Sequence, residues 1–287
     1  MPLQSLRIAV TAPACLPKPT QSLENACACL TQLGAKCIVG QSCVKPRDFT
    51  YADDCFRAAE LQSFLADSSL DLVLCCRGGY GSARLLPYID YTAVSVLHPV
   101  LCGFSDITAL HSAFYTRCGK IGLHGPMAVT DFSEQPLPQT LQSFISACTE
   151  RQAFLPIQTL QPICGSVRGI LFGGNLCVLT SLCGTPYFAV PSNGILFLEE
   201  VHEPLYKIDR MLHQLRQNGV FQQVRAVVFG RMQGIALPEF KSLLANFFHL
   251  DSFPVGYGLP CGHQKRNMTL PIGGSAVLSA GTLQVCY

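Results

Sequence analysis

The stretch Pro99-Val-Leu-Cys-Gly-Phe-Ser-Asp-Ile-Thr-Ala-Leu-His111 joins an apolar run to a helical pattern and decides the fold. The run 99–104 has the length of a buried strand, and apolar residues at helical spacing over 106–117 predict a helix. Ser105 stands at the turn between them, where its side chain projects and the following N–H groups open a helix able to stabilise an oxyanion. This pattern indicates a nucleophile elbow. Ile107 replaces the second glycine of the hydrolase pattern, which leaves a helix N-cap as the alternative role for Ser105.

Strands and helices alternate before this stretch, and the alternation predicts a parallel sheet with helices on both faces. The strands are predicted over 7–10, 36–39 and 70–76, and the helices over 21–33 and 54–67. In such a sheet, ligands lie beyond the carboxyl ends of the strands. The loop Arg77-Gly-Gly-Tyr-Gly-Ser-Ala-Arg84 begins at one of those ends, and its glycines permit close backbone approach to a ligand. We interpret this loop as a candidate oxyanion or substrate loop.

The pattern changes after residue 132 and predicts a second domain. One helix over 140–148 and a strand-like piece over 153–160 are typical of an inter-domain connection. From Gly165 onward, short strands and glycine turns dominate. The sequence therefore predicts an N-terminal α/β domain over 1–132, a linker over 133–164 and a β-rich C-terminal domain over 165–287.

Residues of the second half could complete a catalytic site with Ser105. The apolar strand Ile195-Leu-Phe-Leu-Glu-Glu200 ends in two carboxylates, and a buried carboxylate needs a partner. His263 stands in a loop shaped by glycine and proline, where it is predicted to be accessible. A serine hydroxyl needs a base to take its proton, and the base needs a carboxylate to hold its tautomer. Strand alternation puts Glu199 and Glu200 on opposite faces of the sheet, but it does not decide which of them holds the tautomer of the base.

The composition excludes several classes of function. Of the 287 residues, 49% are hydrophobic and 13% are charged, and a net charge of +2 from scattered Lys and Arg predicts no nucleic-acid partner. No apolar run reaches the roughly 18 residues of a membrane span, and the start does not resemble a signal peptide. The sixteen cysteines form no C-x-x-C pair, so no metal is predicted. We interpret them as reduced, mostly buried thiols of a cytoplasmic protein.

Four motifs, in this order along the chain, resemble those of the LD-carboxypeptidase family of serine peptidases. They are Arg77-Gly-Gly-Tyr-Gly81, Gly103-Phe-Ser-Asp-Ile-Thr-Ala-Leu110, Phe197-Leu-Glu-Glu200 with Tyr206-Lys-Ile-Asp-Arg-Met-Leu212, and Leu259-Pro-Cys-Gly-His263. The motifs span nearly the whole chain, and Phe104 departs from the tyrosine that is common in the family. The resemblance implies a flavodoxin-like parallel-sheet N-terminal domain and a smaller β-rich C-terminal domain, with the active site between them.

The resemblance also implies the roles of the site residues and the reaction. The implied catalytic residues are Ser105 as nucleophile, Glu199 as orienting carboxylate and His263 as base. The implied oxyanion hole consists of the N–H group of Asp106 and that of Gly78 or Gly79. The reaction would release terminal D-alanine from a small murein tetrapeptide during peptidoglycan recycling, at an L-configured centre of diaminopimelate or lysine. No cofactor is implied, and a homodimer is expected.

Other interpretations stand beside this one. Some members of the family cleave a peptidyl-nucleotide antibiotic and use a tryptophan to recognise the nucleotide, but this chain has no tryptophan. A ligand-binding module with a dead site would not need an intact Ser, Glu and His. A cysteine amidotransferase would need a thiol at the elbow, whereas Cys102 falls within the preceding strand. Three arginines are candidates to bind the terminal carboxylate of the substrate: Arg77, Arg84 and Arg231.

Overall fold

The computed structural model describes residues 3–4, 6–17, 20–44, 53–94, 99–150 and 152–287. The first sheet of the protein is built mainly from five strands of the amino-terminal half, and most of their residues are buried. These strands are β1 (Arg7–Thr11), β2 (Lys36–Val39), β3 (Leu72–Cys75), β4 (Val100–Cys102) and β5 (Gly122–His124). They run parallel in the order β2-β1-β3-β4-β5, which is the strand order of a flavodoxin-like sheet. The predicted parallel sheet is confirmed.

Successive residues of a strand point to opposite faces of the sheet. Both faces of this sheet carry apolar side chains, and helices cover both of them. The helices of this half are α1 (Thr20–Gln32), α2 (Asp54–Ala66), α3 (Tyr91–Val94), α4 (Thr108–Cys118) and α5 (Ala128–Phe132). Val73 of β3 belongs to a core that includes residues of α2 and α4. Its neighbour Leu74 belongs to a second core, with residues of α1 and α5. β3 is therefore buried on both faces, as its continuous apolar run predicts.

The rest of the chain forms α6 (Pro138–Thr149) and then a mixed sheet. The strands of this sheet are β6 (Gln152–Pro156), β7 (Gln158–Thr159), β8 (Ser166–Asn175), β9 (Gly194–Val201), β10 (Val224–Gln233), β11 (Val255–Tyr257), β13 (Ser275–Ser279) and β14 (Thr282–Cys286). One further strand, β12 (Leu270–Ile272), belongs to the first sheet. The helices are α7 (Leu176–Ser181), α8 (Leu205–Gln217) and α9 (Leu237–Phe247). Within the described residues, the order of this sheet is β6-β14-β13-β8-β9-β10-β11-β7, with β8 to β11 parallel.

The segment 133–164 contributes more structure than a linker would. Phe144 of α6 is fully buried in a core of the first sheet, while β6 and β7 pair with β14 and β11 at the two edges of the second sheet. Apolar patterning does not reveal such pairing, because the partner strands lie far away in sequence. β8 also differs from the predicted short strands, since it continues through Gly173, whose positive φ allows close approach to β9. The domain boundaries stay a prediction.

One strand of the carboxy-terminal half ties the two sheets together. β12 adds to the first sheet antiparallel to β5, with Leu270 opposite His124. The loop that precedes β12 carries His263 and therefore lies beside the carboxyl ends of β4 and β5. Within the described ranges, no helix is both long and apolar enough to cross a membrane.

Candidate active site

Ser105 is held in a strained turn between β4 and α4. Its φ of +65° lies in the left-handed region, which costs a residue with a side chain of order 1–3 kcal/mol. Residues 105–107 form a 3-10 turn that leads into α4, so the predicted helix begins as an α-helix at Thr108. The N-cap positions of the turn and of α4 are Phe104 and Ile107. Ser105 is therefore not a helix cap, and its hydroxyl is directed to another partner.

His263 and Glu199 complete a hydrogen-bonded chain with Ser105. The Nε2 atom of His263 lies 3.0 Å from Ser105 Oγ, and its Nδ1 atom lies 2.7 Å from Glu199 Oε2. The backbone N–H of His263 also donates to Glu199 Oε2, at 3.2 Å. Because a carboxylate can only accept, we assign the proton of neutral His263 to Nδ1, which leaves Nε2 free to accept one from Ser105. This geometry is that of an activated serine nucleophile.

The two carboxylates at the end of β9 have different partners. Glu199 is fully buried and faces His263, whereas Glu200 accepts a hydrogen bond from the N–H of Cys177 in the first turn of α7, at 2.7 Å. The Nδ2 atom of Asn175 lies 3.3 Å from Glu199 Oε1 and 2.9 Å from Glu200 Oε1, and donates to both. Sequence reasoning missed Asn175. The available signal was its position before α7, where its side chain accepts from Val178 N–H as an N-cap.

Nearby charges favour the protonated form of His263. Burial lowers the pKa of His263, but the hydrogen bond and charge of Glu199, with the charges of Glu200 and Asp131, raise it above its ordinary value. Burial also raises the pKa of Asp131, to about 6. The ring of Phe104 packs edge-on against His263 with the ring centroids 5.0 Å apart. The imidazolium that forms when His263 takes a proton is therefore stabilised by fixed charges.

Backbone donors for an oxyanion lie beside Ser105. A Cβ atom on Gly78 would lie 2.9 Å from the Cβ of Ser105 and 3.2 Å from its Oγ, so only glycine lets the backbone pass this close. In the part of the chain that the structure describes, the N–H groups of Gly78, Gly79 and Asp106 donate to no other protein group. Gly78 and Asp106 are buried, whereas Gly79 is exposed. Since buried N–H groups in proteins are normally paired, the donors of Gly78 and Asp106 are available to an oxygen of a ligand.

A buried arginine that sequence reasoning missed supports the glycine-rich loop. Arg57 of α2 is fully buried, and its guanidinium donates to the carbonyls of Pro13 and Gly81 and to the carboxylate of Asp54. It therefore ties the loop after β1 to the glycine-rich loop after β3. The available signal was its spacing, because Arg57 stands four residues before Leu61 on the apolar face of the predicted helix.

A cleft of about 470 Å³ opens beside His263. Phe104 and Asp131 line it from the first half of the chain, Thr140 lines it from α6, and Lys265 lines it from the loop that carries His263. Lys265 is a cation of the cleft that sequence reasoning did not single out. Among the described residues, no group of three or more His, Cys, Asp or Glu side chains is placed to hold a metal ion.

The three arginines predicted as carboxylate clamps lie in different surroundings. The guanidinium of Arg84 forms an ion pair with Asp54, 2.7 Å away. Arg231 lines a smaller pocket of about 100 Å³, which shares Gln264 with the cleft beside His263. Arg77 is half-buried at the start of the glycine-rich loop. The pairing with Asp54 makes Arg84 the weakest of the three candidates.

Comparisons with known proteins agree with this architecture. The family model described as LD-carboxypeptidase N-terminal domain matches residues 8–125, and the one described as LD-carboxypeptidase C-terminal domain matches residues 168–278. Ser105 falls within the first match, and Glu199 and His263 fall within the second. The site thus draws on both matched segments.

Individual relatives match over most of their length. The chain is 33% identical over 243 residues to the murein tetrapeptide carboxypeptidase of Pseudomonas aeruginosa, covering 79% of this chain and 78% of that relative. The crystal structure of muramoyltetrapeptide carboxypeptidase from Oxalobacter formigenes matches with a TM-score of 0.88 and 30% identity over 98% of each chain. That of an MccF-like protein from Bacillus anthracis matches with a TM-score of 0.92 and 27% identity, over 98% of this chain and 97% of that one. The protein therefore belongs to the LD-carboxypeptidase family.

Proposed function

We propose that this protein is a serine L,D-carboxypeptidase that releases terminal D-alanine from murein tetrapeptide. The observation that carries the proposal is the hydrogen-bonded chain from Ser105 Oγ through His263 to the buried carboxylate of Glu199. The substrate class rests on the relatives from Pseudomonas aeruginosa and Oxalobacter formigenes, whose names describe carboxypeptidases of murein or muramoyl tetrapeptides. A chain that only binds such peptides would not need this arrangement.

Acylation follows from the roles of these atoms. Ser105 Oγ attacks the carbonyl carbon before the terminal D-alanine, and its proton passes to Nε2 of His263. Glu199 stays ionised and stabilises the resulting imidazolium through Nδ1. The negative charge that develops on the carbonyl oxygen accepts hydrogen bonds from the N–H of Asp106 and from that of Gly78 or Gly79. His263 then gives its proton to the departing amine, and the C–N bond breaks to release D-alanine.

Deacylation uses the same groups in the same order. A water molecule gives its proton to Nε2 of His263 as its oxygen attacks the ester that joins the peptide to Ser105. The N–H groups that stabilised the first oxyanion stabilise the second. His263 returns the proton to Ser105 Oγ, which leaves a tripeptide carboxylate and the free enzyme.

The cellular setting is part of the same proposal. All sixteen cysteines are free thiols, which supports action in the reducing cytoplasm, where recycled murein peptides would meet the enzyme. We also propose that the protein acts as a homodimer, as the resemblance to its family implies. Gel filtration with light scattering tests the oligomeric state.

A second candidate function is cleavage of a peptidyl-nucleotide antibiotic. The observation that favours it is the TM-score of 0.92 with the MccF-like protein of Bacillus anthracis. Against it stands the absence of tryptophan from the whole sequence. The two functions use the same Ser, His and Glu, so only the substrate separates them.

The test offers purified protein two substrates in parallel, UDP-muramoyl-tetrapeptide and an aminoacyl sulfamoyl nucleoside, and follows both by mass spectrometry. We expect the tetrapeptide to lose one alanine and the nucleoside to stay intact. A tetrapeptide whose terminal carboxylate is replaced by an amide is the matched control, and we expect it to be a poor substrate. Cleavage of the nucleoside alone would contradict the proposal in favour of the second function.

A further inference from the structure

The loop that carries His263 has little regular structure of its own. Between β11 and β12 the chain forms turns and bends, and Lys265 and Arg266 in this loop are exposed. Two contacts close the loop on itself, since Met268 N–H donates to the carbonyl of Pro260 and Gly262 N–H donates to Asn267 Oδ1, each at 2.9 Å. The start of the loop is held by β10, since Leu259 N–H donates to the carbonyl of Phe229 at 3.1 Å and Arg231 N–H donates to the carbonyl of Cys261 at 2.9 Å.

Helix α6 holds the part of the loop that follows His263. The hydroxyl of Thr140 accepts a hydrogen bond from Asn267 N–H at 3.1 Å and donates one to the carbonyl of Lys265 at 3.3 Å. One turn further along α6, the hydroxyl of Ser143 accepts from Thr269 N–H at 2.9 Å. Thr140 is 1% exposed and Asn267 is 0% exposed, so water does not compete for these bonds.

These contacts lead directly to the catalytic histidine. Asn267, whose N–H is held by Thr140, accepts the hydrogen bond of Gly262, the residue before His263. At the other end, His263 is held by Glu199 through its ring and its backbone N–H. The segment around the ring is thus held by β9 and β10 on one side and by α6 on the other.

We propose that α6 fixes the part of the loop after His263, residues 264–269, and that Thr140, through its hydroxyl, is a positioning residue for His263. The inference rests on the proposed serine chemistry but not on the identity of the substrate. Thr140 touches no reacting atom in this account; it acts through Asn267 and Gly262. A displacement of the base by about 1 Å can cost on the order of a hundredfold in rate, so loss of this attachment should be measurable.

The test measures how fast a fluorophosphonate probe labels Ser105, because this reaction needs the serine and its base but no murein peptide. Thr140→Val keeps the volume of the side chain and removes both hydrogen bonds. We expect the maximal labelling rate to fall about tenfold or more, since the base is misplaced. The half-saturating probe concentration should change far less, because Ser105 and the oxyanion donors of Gly78 and Asp106 are not part of the loop. Thr140→Ser restores the hydroxyl and should label within about twofold of the wild type.

Matched variants separate positioning from a general weakening of the helix. Ser146 is a buried serine of α6 whose hydroxyl accepts a hydrogen bond from Gln142 of the same helix, at 3.4 Å, so Ser146→Ala should leave the labelling rate unchanged. All variants are assayed below their melting temperatures. If Thr140→Val does not fold, Ser143→Ala takes its place, with a smaller decrease expected.

The outcomes distinguish the inference from the proposed function. A wild-type protein that the probe does not label at Ser105 would contradict the serine mechanism itself. Labelling of the wild type with equal rates in folded Thr140→Val would overturn the inference alone. So would a Ser146→Ala variant as slow as Thr140→Val, or a Thr140→Ser variant that is not restored.

Discussion

The Oε2 atom of Glu199 lies 2.7 Å from Nδ1 of His263, in a position where the Glu199 side chain is fully buried. Its neighbour Glu200 is also buried but is committed to the first turn of α7 through Cys177. A buried carboxylate is stable only where donors surround it, and for Glu199 two of those donors belong to His263. Glu199 is therefore the partner of His263, whereas Glu200 is a partner of α7, and we expect substitutions of the two residues to have different effects.

Glu199→Gln and Glu200→Gln should therefore differ in what they impair. Glu199→Gln removes the charge that stabilises the imidazolium and permits the wrong tautomer, so kcat should fall about 10²- to 10⁴-fold. Glu200→Gln places an amide against the Cys177 N–H and should cost mainly stability, about 1–3 kcal/mol, with a much smaller effect on kcat. The measurement is kcat for both variants, each with a melting curve. A larger loss of kcat in Glu200→Gln would transfer the orienting role to that residue.

The pH dependence of the reaction should report His263. The base must be neutral to take the proton of Ser105, and the charges of Glu199, Glu200 and Asp131 raise the pKa of His263 above the ordinary 6.5. kcat/KM should therefore fall as the pH drops through a value above 6.5, and Glu199→Gln should move this acid limb to lower pH because it removes the main charge. The profile is measured at constant ionic strength. An acid limb that stays in place in Glu199→Gln would contradict the assignment.

Gly262 should tolerate no side chain. Its φ is +97°, and a Cβ atom there would lie 2.5 Å from Glu199 Oε2, so Gly262→Ala should separate Glu199 from His263 and lower kcat about a hundredfold or more. Gly281 is the matched control, because it has a φ of +78° and no atom within 4 Å of an added Cβ. Gly281→Ala should cost about 1–2 kcal/mol of backbone strain and leave kcat unchanged. Equal loss of kcat in both variants would indicate a general folding defect instead.

Arg57 should contribute far more stability than Arg84, although both bind Asp54. Arg57→Met leaves the buried carbonyls of Pro13 and Gly81 without their donor, while Asp54 keeps Arg84, so the free energy of unfolding should fall by about 1–3 kcal/mol for each carbonyl. The side chain of Arg84 is 45% exposed, and Arg84→Gln should cost at most about 1 kcal/mol. Urea unfolding of the two variants measures the difference. Similar losses would mean that the glycine-rich loop does not depend on the buried guanidinium.

The sequence predicts the parallel sheet well because its signals are local. The apolar run of β3 and the helical spacing of α2 and α4 are each visible in one window of residues. The turn at Ser105 is also local, since it follows a short apolar strand and precedes a helix. The juxtaposition of Ser105 with His263 is not local, because 158 residues separate them, and it was anticipated through the resemblance to a family.

What the sequence could not predict depends on contacts between distant segments. The role of α6 in holding the loop of His263 rests on Thr140, which is one polar residue in a segment interpreted as a linker. Which of Glu199 and Glu200 contacts His263 depends on which face of β9 meets the loop of His263. Strand alternation does not reveal this, because apolar residues precede both glutamates on their respective faces. Asn175 and Arg57 are polar residues at buried positions, and their partners lie on other elements.

The release of D-alanine from UDP-muramoyl-tetrapeptide by the wild-type protein and by Ser105→Ala tests the central claim most directly. The wild type should release D-alanine, and Ser105→Ala should fold with a native melting curve and lose several orders of magnitude in kcat, because the nucleophile acts as a unit with its base. Near-native release of D-alanine by folded Ser105→Ala would contradict the account.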